Sequence, residues 1–309
     1  MVQLNTHGNK AFSKEIPALQ VAWDSTSLGL LKTCPRKYFY QIIQGWRPKG
    51  QSIHLTFGIA YHSALEAYDK ARCKDMDHEE AVIVAVRSAL AFTDPPDPDK
   101  NKNRFTLVRS VVWYLDKFGK DDPAKTIVLE NGKPAVELSF RMGIGVEAAD
   151  GSEYLLCGHL DRVVEFGNDV FVMDRKTTKS TMSDYYFNQF SPNNQMTLYT
   201  LASQIISKRA AKGVIIDAVQ LAVGFSRFAR AFAYRTKAQL DEWFGDTVRY
   251  LRMAERMANE QSWPMNDTAC DKFGGCPFRE ICAADPGVRE LYLKSNFEQR
   301  IWDPLEARD

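Results

Sequence analysis

Apolar and polar positions along this 309-residue chain recur with two different periods, and the change from one to the other divides the chain into regions. Residues 1–22 follow neither period and suggest a flexible N-terminal arm. Asp24 suits an N-cap, and beyond it Leu28, Leu31, Tyr38 and Ile42 return at helical spacing. Pro35 fits the first turn of a second helix. Ala60, Tyr61, Ala64, Leu65 and Tyr68 make a helical stripe within residues 57–71. Residues 94–103, rich in Pro, Asp and Asn, predict an exposed loop, and a further helix covers 105–118.

The period then shortens to two. Residues 135–142, 154–164 and 170–174 predict three strands, with turn signals at Asp150-Gly151 and Gly167-Asn168. A helix over about 194–208, strands at 218–224 and 230–234, and a long helix over 237–260 complete the pattern. Helices, three strands, a helix and more strands indicate a mixed α/β core. The expected division is an arm at 1–22, one domain over 23–290 and a C-terminal tail at 291–309.

Charge narrows the possibilities for binding. With 40 Lys and Arg against 39 Asp and Glu, the net charge is +1, so attraction to nucleic acid has to come from local patches. Lys32, Arg36, Lys37, Arg47 and Lys49 form one, interleaved with Tyr38, Phe39, Tyr40 and Trp46. Arg36, Lys37, Tyr38 and Arg47 are the DNA-binding candidates there, although aromatics can equally belong to a core. Lys100, Lys102, Arg104 and Arg109 form a second patch; Arg227, Arg230 and Arg235 form a sparser third.

No apolar run is long enough to span a bilayer, so no membrane partner is expected. The N-terminus lacks the apolar block of a secretory signal, which makes a reducing, cytoplasmic location the expectation. In such a compartment grouped cysteines hold metals more often than disulfides. Cys270, Cys276 and Cys282 stand close together and suggest a metal centre short of one ligand, for which Cys34 is the distant candidate. Cys73 and Cys157 fall outside the pattern and read as packing residues. No Gly-x-x-x-x-Gly-Lys-Ser/Thr loop occurs, so helicase chemistry within this chain is not expected.

Two consecutive predicted strands carry acidic signatures: Gly158-x-x-Asp161 and Asp174-x-Lys176. Residues two apart on a strand share a face, so Asp174 and Lys176 point together and Arg175 points away. A hairpin through 165–169 brings Asp161 toward Asp174. Two neighbouring carboxylates repel unless a cation lies between them, and hard oxygen ligands suit Mg²⁺ or Mn²⁺. A lysine beside them can orient a water or stabilise charge on a phosphoryl group.

Gly158-x-x-Asp161, Asp174-x-Lys176 and Gln195-x-x-x-Tyr199, in that order, resemble the RecB-type branch of the PD-(D/E)XK nucleases. That branch includes CRISPR-adaptation exonucleases and the nuclease domains of recombination helicases. The resemblance spans most of residues 25–285. It implies a restriction-endonuclease-like core at about 55–235, a mixed central sheet flanked by helices. It assigns Asp161 and Asp174 as metal ligands and Lys176 as the catalytic lysine, with Gln195 and Tyr199 bordering the site. It also points to His62 as a helical ligand, against the alternative of a histidine satisfied by its neighbours. Glu137 matches an acidic position on the first strand, where it either supports the ligands or is simply exposed.

The resemblance further implies that Cys34, Cys270, Cys276 and Cys282 hold a 4Fe–4S cluster stapling the C-terminus to the N-terminal helices. Zn²⁺ competes for four cysteines, but paired Cys-x-x-Cys knuckles are absent. The function implied is a metal-dependent DNA exonuclease on single strands or duplex ends, with a helicase, recombination or CRISPR-adaptation protein as partner. The rivals are a non-catalytic DNA-binding subunit with a nuclease-like fold and a zinc-stabilised binding module.

Overall fold

The structure, a computed structural model, describes residues 8–50, 52–96, 99–271 and 274–306. The segment expected as a loose arm is packed in its latter half. Ala11, Phe12, Ala18, Leu19 and Val21 are buried, and β1 (Ala22–Trp23) joins the central sheet in parallel beside Leu155 and Leu156. It lacks periodicity because it packs as irregular chain, its apolar residues joining one core cluster. Residues 1–7 lie outside the described residues.

Helix α1 (Ser25–Thr33) starts at Asp24, whose Oδ1 accepts from Ser27 N at 2.9 Å while Ser27 Oγ accepts from Asp24 N at 3.2 Å, a reciprocal cap. Pro35 opens α2 (Pro35–Tyr38) as its fixed φ favours. A π-helical turn over Phe39–Ile43 leads to β2 (Trp46–Pro48). Helix α3 (Ile53–Arg72) buries Phe57, Tyr61, Ala64, Leu65 and Tyr68 along one face. Helix α4 (His78–Leu90), unforeseen in the sequence, packs through Ala81, Ala85 and Ala89, a small-residue seam with a faint hydrophobic signal. Helix α5 (Arg104–Phe118) and β3 (Ala124–Thr126) follow.

The strand-rich centre comprises β4 (Val136–Glu147), β5 (Glu153–Phe166) and β6 (Asp169–Thr178). After the short α6 (Asp184–Asn188) come α7 (Asn194–Ser207), β7 (Ala211–Leu221), β8 (Ser226–Tyr234) and α8 (Lys237–Glu260). Strand β7 starts earlier than expected because it is buried on both faces and reads as a continuous apolar run. Helices α9 (Arg279–Ala283) and α10 (Arg289–Asn296) precede β9 (Phe297–Gln299).

The main sheet runs β1-β5-β6-β7-β8, with β3 and β4 also paired to β5. β5–β6 is an antiparallel hairpin, whereas β6–β7 is parallel and is crossed by α7. A core including Leu28, Leu31, Leu198 and Leu251 packs α1, α7 and α8 against the sheet; a second joins α3, α4 and α5 to Val219 and Leu221. The expected tail also requires correction. Leu293 and Phe297 are buried with Tyr40, Trp46, Phe278 and Ile281, and β9 pairs with β2. Among the described residues, this packing closes the C-terminal segment onto the N-terminal helices. None of the described helices is long and apolar enough to cross a membrane.

Candidate active site

The β5–β6 ladder ends at the pair Arg162–Met173, and Asp161 and Asp174 stand one step beyond it. From there β6 continues with β7, while the earlier part of β5 pairs with β1. The two aspartates therefore sit at a fork in the sheet, both nearly buried. Helices α3 and α7 bring side chains to that fork.

From α3, His62 Nδ1 lies 3.2 Å from Asp161 Oδ2, and that same oxygen accepts from the Arg175 backbone N at 2.9 Å. From β4, Glu137 lies between the pairs Val136–Arg162 and Leu138–Leu160, which puts it opposite Asp161. Its φ of +50° is a conformation that L-residues adopt at a cost and that occurs disproportionately at working sites. Among the described residues, His62, Glu137 and Asp161 are the set whose ligand atoms all lie within 4.8 Å of one another. Glu137 joins His62 and Asp161 in this group, and Asp174, also expected as a ligand, stands beside it facing Lys176. Antiparallel register opposite Asp161 was the signal available for Glu137.

Lys176 Nζ lies 2.7 Å from Asp174 Oδ2 and donates to Gln195 Oε1 at 3.0 Å; Gln195 Nε2 donates to Tyr199 Oη at 3.0 Å. The lysine fixes the amide orientation, and the amide occupies an acceptor site of the phenol, leaving the phenol proton free to be donated onward. The spacing of Gln195 and Tyr199 on one face of α7 is thus used in full. A Cβ at Gly158 would sit 3.1 Å from the Phe140 ring, so that ring would have to give by a few tenths of an ångström, whereas Tyr199 at 3.7 Å would be in ordinary contact.

Burial pushes the Asp161 carboxyl up, but His62, Lys176 and the Arg175 N–H outweigh it and hold this group well below the usual range. Asp174 goes the other way, because burial and the Asp161 charge exceed the help from Lys176. Burial alone would lower the His62 pKa, yet the adjacent Asp161 raises it. Asp174 Oδ2 is buried without a well-directed hydrogen bond, although the Lys176 ammonium is near. The site thus gathers more negative charge than its hydrogen bonds satisfy. A cleft of about 500 Å³ opens onto it, lined by His54, Leu55, Ile59, His62, Glu137 and Lys176 among others.

Arg175 points away from this centre, as strand alternation requires. It is 2% exposed and donates to Asp69 Oδ2 at 2.5 Å. Asp69 also faces Arg162, Asp122 bridges Arg162 and Arg230, and Asp217 faces Arg230 and accepts from Tyr114. This buried network had no signature in the sequence, since its members are scattered over six elements and a loop.

The cysteines form a separate feature. Cys34, Cys270, Cys276 and Cys282 line one small cavity with Lys37, Phe278 and Arg279, and all six cysteines are free thiols. Burial raises the Cys270 and Cys282 thiols, and the other thiols of the cavity raise them further. No three of the described cysteines bring their sulfurs within 4.8 Å of one another.

Several candidates for DNA contact have structural duties instead. Tyr38 is fully buried, stacked on Trp23 and donating to Gln20 Oε1 at 2.8 Å, so its ring is not available to a base. Tyr40 and Trp46 are buried as well. Arg36 donates to the Trp263 carbonyl at 2.6 Å, Arg47 lies over the Trp302 ring, and Arg230 and Arg235 are held inside the protein.

Compared with known proteins, residues 23–283 match the sequence model of the PD-(D/E)XK nuclease superfamily. No curated protein matches the chain. Among solved structures, one described as "Crystal structure of SSO0001" aligns with 76% of this chain and 98% of that one at 13% identity. Its TM-score is 0.29.

Proposed function

The chain belongs to the PD-(D/E)XK nuclease superfamily, and on that premise we propose that it is a metal-dependent deoxyribonuclease, an exonuclease on single strands or duplex ends. The observation that carries this reading is the meeting of His62, Glu137 and Asp161 at the sheet fork, with Lys176 tethered beside them. One imidazole and several carboxylates, two of them buried side by side, suit Mn²⁺ or Mg²⁺. His62, Glu137 and Asp161 would hold the ion, and Asp174 adjoins them.

Bound there, the metal would supply Lewis acidity and lower the pKa of a water. Lys176, steered by Asp174 and Gln195, presents an ammonium to the phosphoryl oxygen that gains charge. Tyr199, its oxygen already accepting from Gln195, has a proton to offer the substrate strand. A helicase, recombination or CRISPR-adaptation protein that opens duplex ends would suit such an enzyme as partner.

The test is cleavage of end-labelled single- and double-stranded DNA with Mg²⁺ or Mn²⁺. Asp161→Ala and Lys176→Ala are each expected to lower the rate by at least about 100-fold with the fold intact. Wild-type rates in either folded variant overturn the assignment. Circular single-stranded DNA is expected to survive; its cleavage would make the enzyme an endonuclease.

The four cavity cysteines are read as ligands of one 4Fe–4S cluster. What supports this reading is that all four line one small cavity and that paired Cys-x-x-Cys knuckles of the zinc folds are absent from the sequence.

A further inference from the structure

The cleft that opens at the catalytic centre extends along α3, lined in turn by Glu66, Ser63, His62, Ile59, Gly58, Leu55 and His54. This is one helical face, and from His62 to His54 it runs about 12 Å at a rise of 1.5 Å per residue. The far end differs from the near one. Thr177, the residue after Lys176, lines the cleft there, and Lys102 Nζ donates to its hydroxyl at 3.3 Å. Lys102 is 4% exposed and lies over the Phe57 ring. Among the described residues no carboxylate lies within ion-pair distance of it, since the nearby Asp99 is taken by Lys179 at 2.9 Å. A buried cation without a direct ion pair is costly to keep, and an anion in the cleft beside Thr177 would relieve part of that cost.

We propose that Lys102, His54 and Lys179 form a phosphate-binding subsite for a neighbouring nucleotide of the strand, so that the cleft selects a polynucleotide over a single phosphodiester. This deepens the nuclease reading and rests on it. The geometry has three parts: a metal-ligand centre at one end, His54 with Lys102 held behind Thr177 at the other, and exposed Leu55 and Ile59 between them. That apolar stretch is where a sugar and base would lie between two phosphates. The electrostatics agree. Burial and Lys179 bring the Lys102 pKa down to about 8, and burial followed by the two lysines lowers that of His54. Asp99 offsets part of this charge through its pair with Lys179, and Lys102 is left without a direct ion pair among the described residues.

The test is fluorescence anisotropy of a labelled single-stranded oligonucleotide, with Ca²⁺ in place of the catalytic ion, over a range of salt. Each lost phosphate contact is expected to flatten the log K against log salt slope by about 0.7 for single strands. Lys102→Met should show this, Lys102→Arg should restore it, and Lys179→Gln, at a half-exposed position, gives an independent reading should Lys102→Met fail to fold. KM for the oligonucleotide should rise in these variants, while kcat/KM for bis(p-nitrophenyl) phosphate, which has one phosphate, stays constant. An unchanged salt slope in folded Lys102→Met and Lys179→Gln, or a parallel loss on both substrates, overturns the subsite. Wild-type protein that binds with the full slope but does not cut DNA would retire the nuclease reading and leave the subsite standing. Wild-type protein that cuts DNA while the variants keep the wild-type slope does the reverse.

Discussion

Replacing Asp69 by Asn is expected to be among the most damaging single changes in this protein, although Asp69 lies behind the candidate site. Three arginines, Arg162, Arg175 and Arg230, face three aspartates, Asp69, Asp122 and Asp217, in a buried network whose formal charges cancel. Asp69→Asn leaves one positive charge in excess. The burden falls on Arg175, which is 2% exposed, has Asp69 as its ion partner, and already carries an unpaired Nε. Removing one partner of such a pair costs about 3–5 kcal/mol, because the other charge stays buried without compensation. For a chain this size that corresponds to a fall in Tm of roughly 6–10 °C, at about 2 °C per kcal/mol. Urea unfolding followed by tryptophan fluorescence measures it, with the m-value expected to stay constant. Asp69→Leu combined with Arg175→Met should recover part of the loss, since removing both charges removes the uncompensated one. Recovery stays partial because Arg162 also faces Asp69 at 3.8 Å. A loss below about 1 kcal/mol, or a double variant worse than the sum of its singles, would refute the electrostatic reasoning.

Glu137→Gln keeps the shape of the fork but removes a ligand charge, and Mn²⁺ affinity measured by calorimetry should fall at least about 10-fold; unchanged affinity would return Glu137 to a structural part. For Lys102, the folded pKa of about 8 lies below the ordinary 10.5, so the folded state releases its proton first and the wild type gains stability as pH rises. The unfolding free energy of wild type relative to Lys102→Met should therefore increase between pH 8 and 10.5, and a flat difference would count against the buried cation. Protein purified without oxygen should be brown, with about four iron and four sulfide per chain. Cys34→Ala should lose the iron and become protease-sensitive at both ends, whereas full iron in that variant or stoichiometric zinc in the native protein would contradict the cluster.

The alternating pattern of β5 and β6 was enough to pair Asp174 with Lys176 on one face, because side-chain direction in a strand follows from a period of two. The same local logic placed α3 with His62, and Gln195 beside Tyr199, since helical spacing and capping are properties of neighbours in the chain. Alanine packing in α4, the irregular course of residues 11–21 and the return of β9 to β2 escaped, because no periodic apolar signal marks them. Tertiary structure alone decided that Glu137 comes within ligand reach of His62 and Asp161, and that Tyr38 is a buried stacking partner rather than an exposed ring. It also decided that Asp69, Asp122 and Asp217 neutralise the arginines behind the sheet. Those outcomes depend on distances between elements far apart in sequence, where burial removes the screening of water and charges must be balanced by whatever the fold brings within reach.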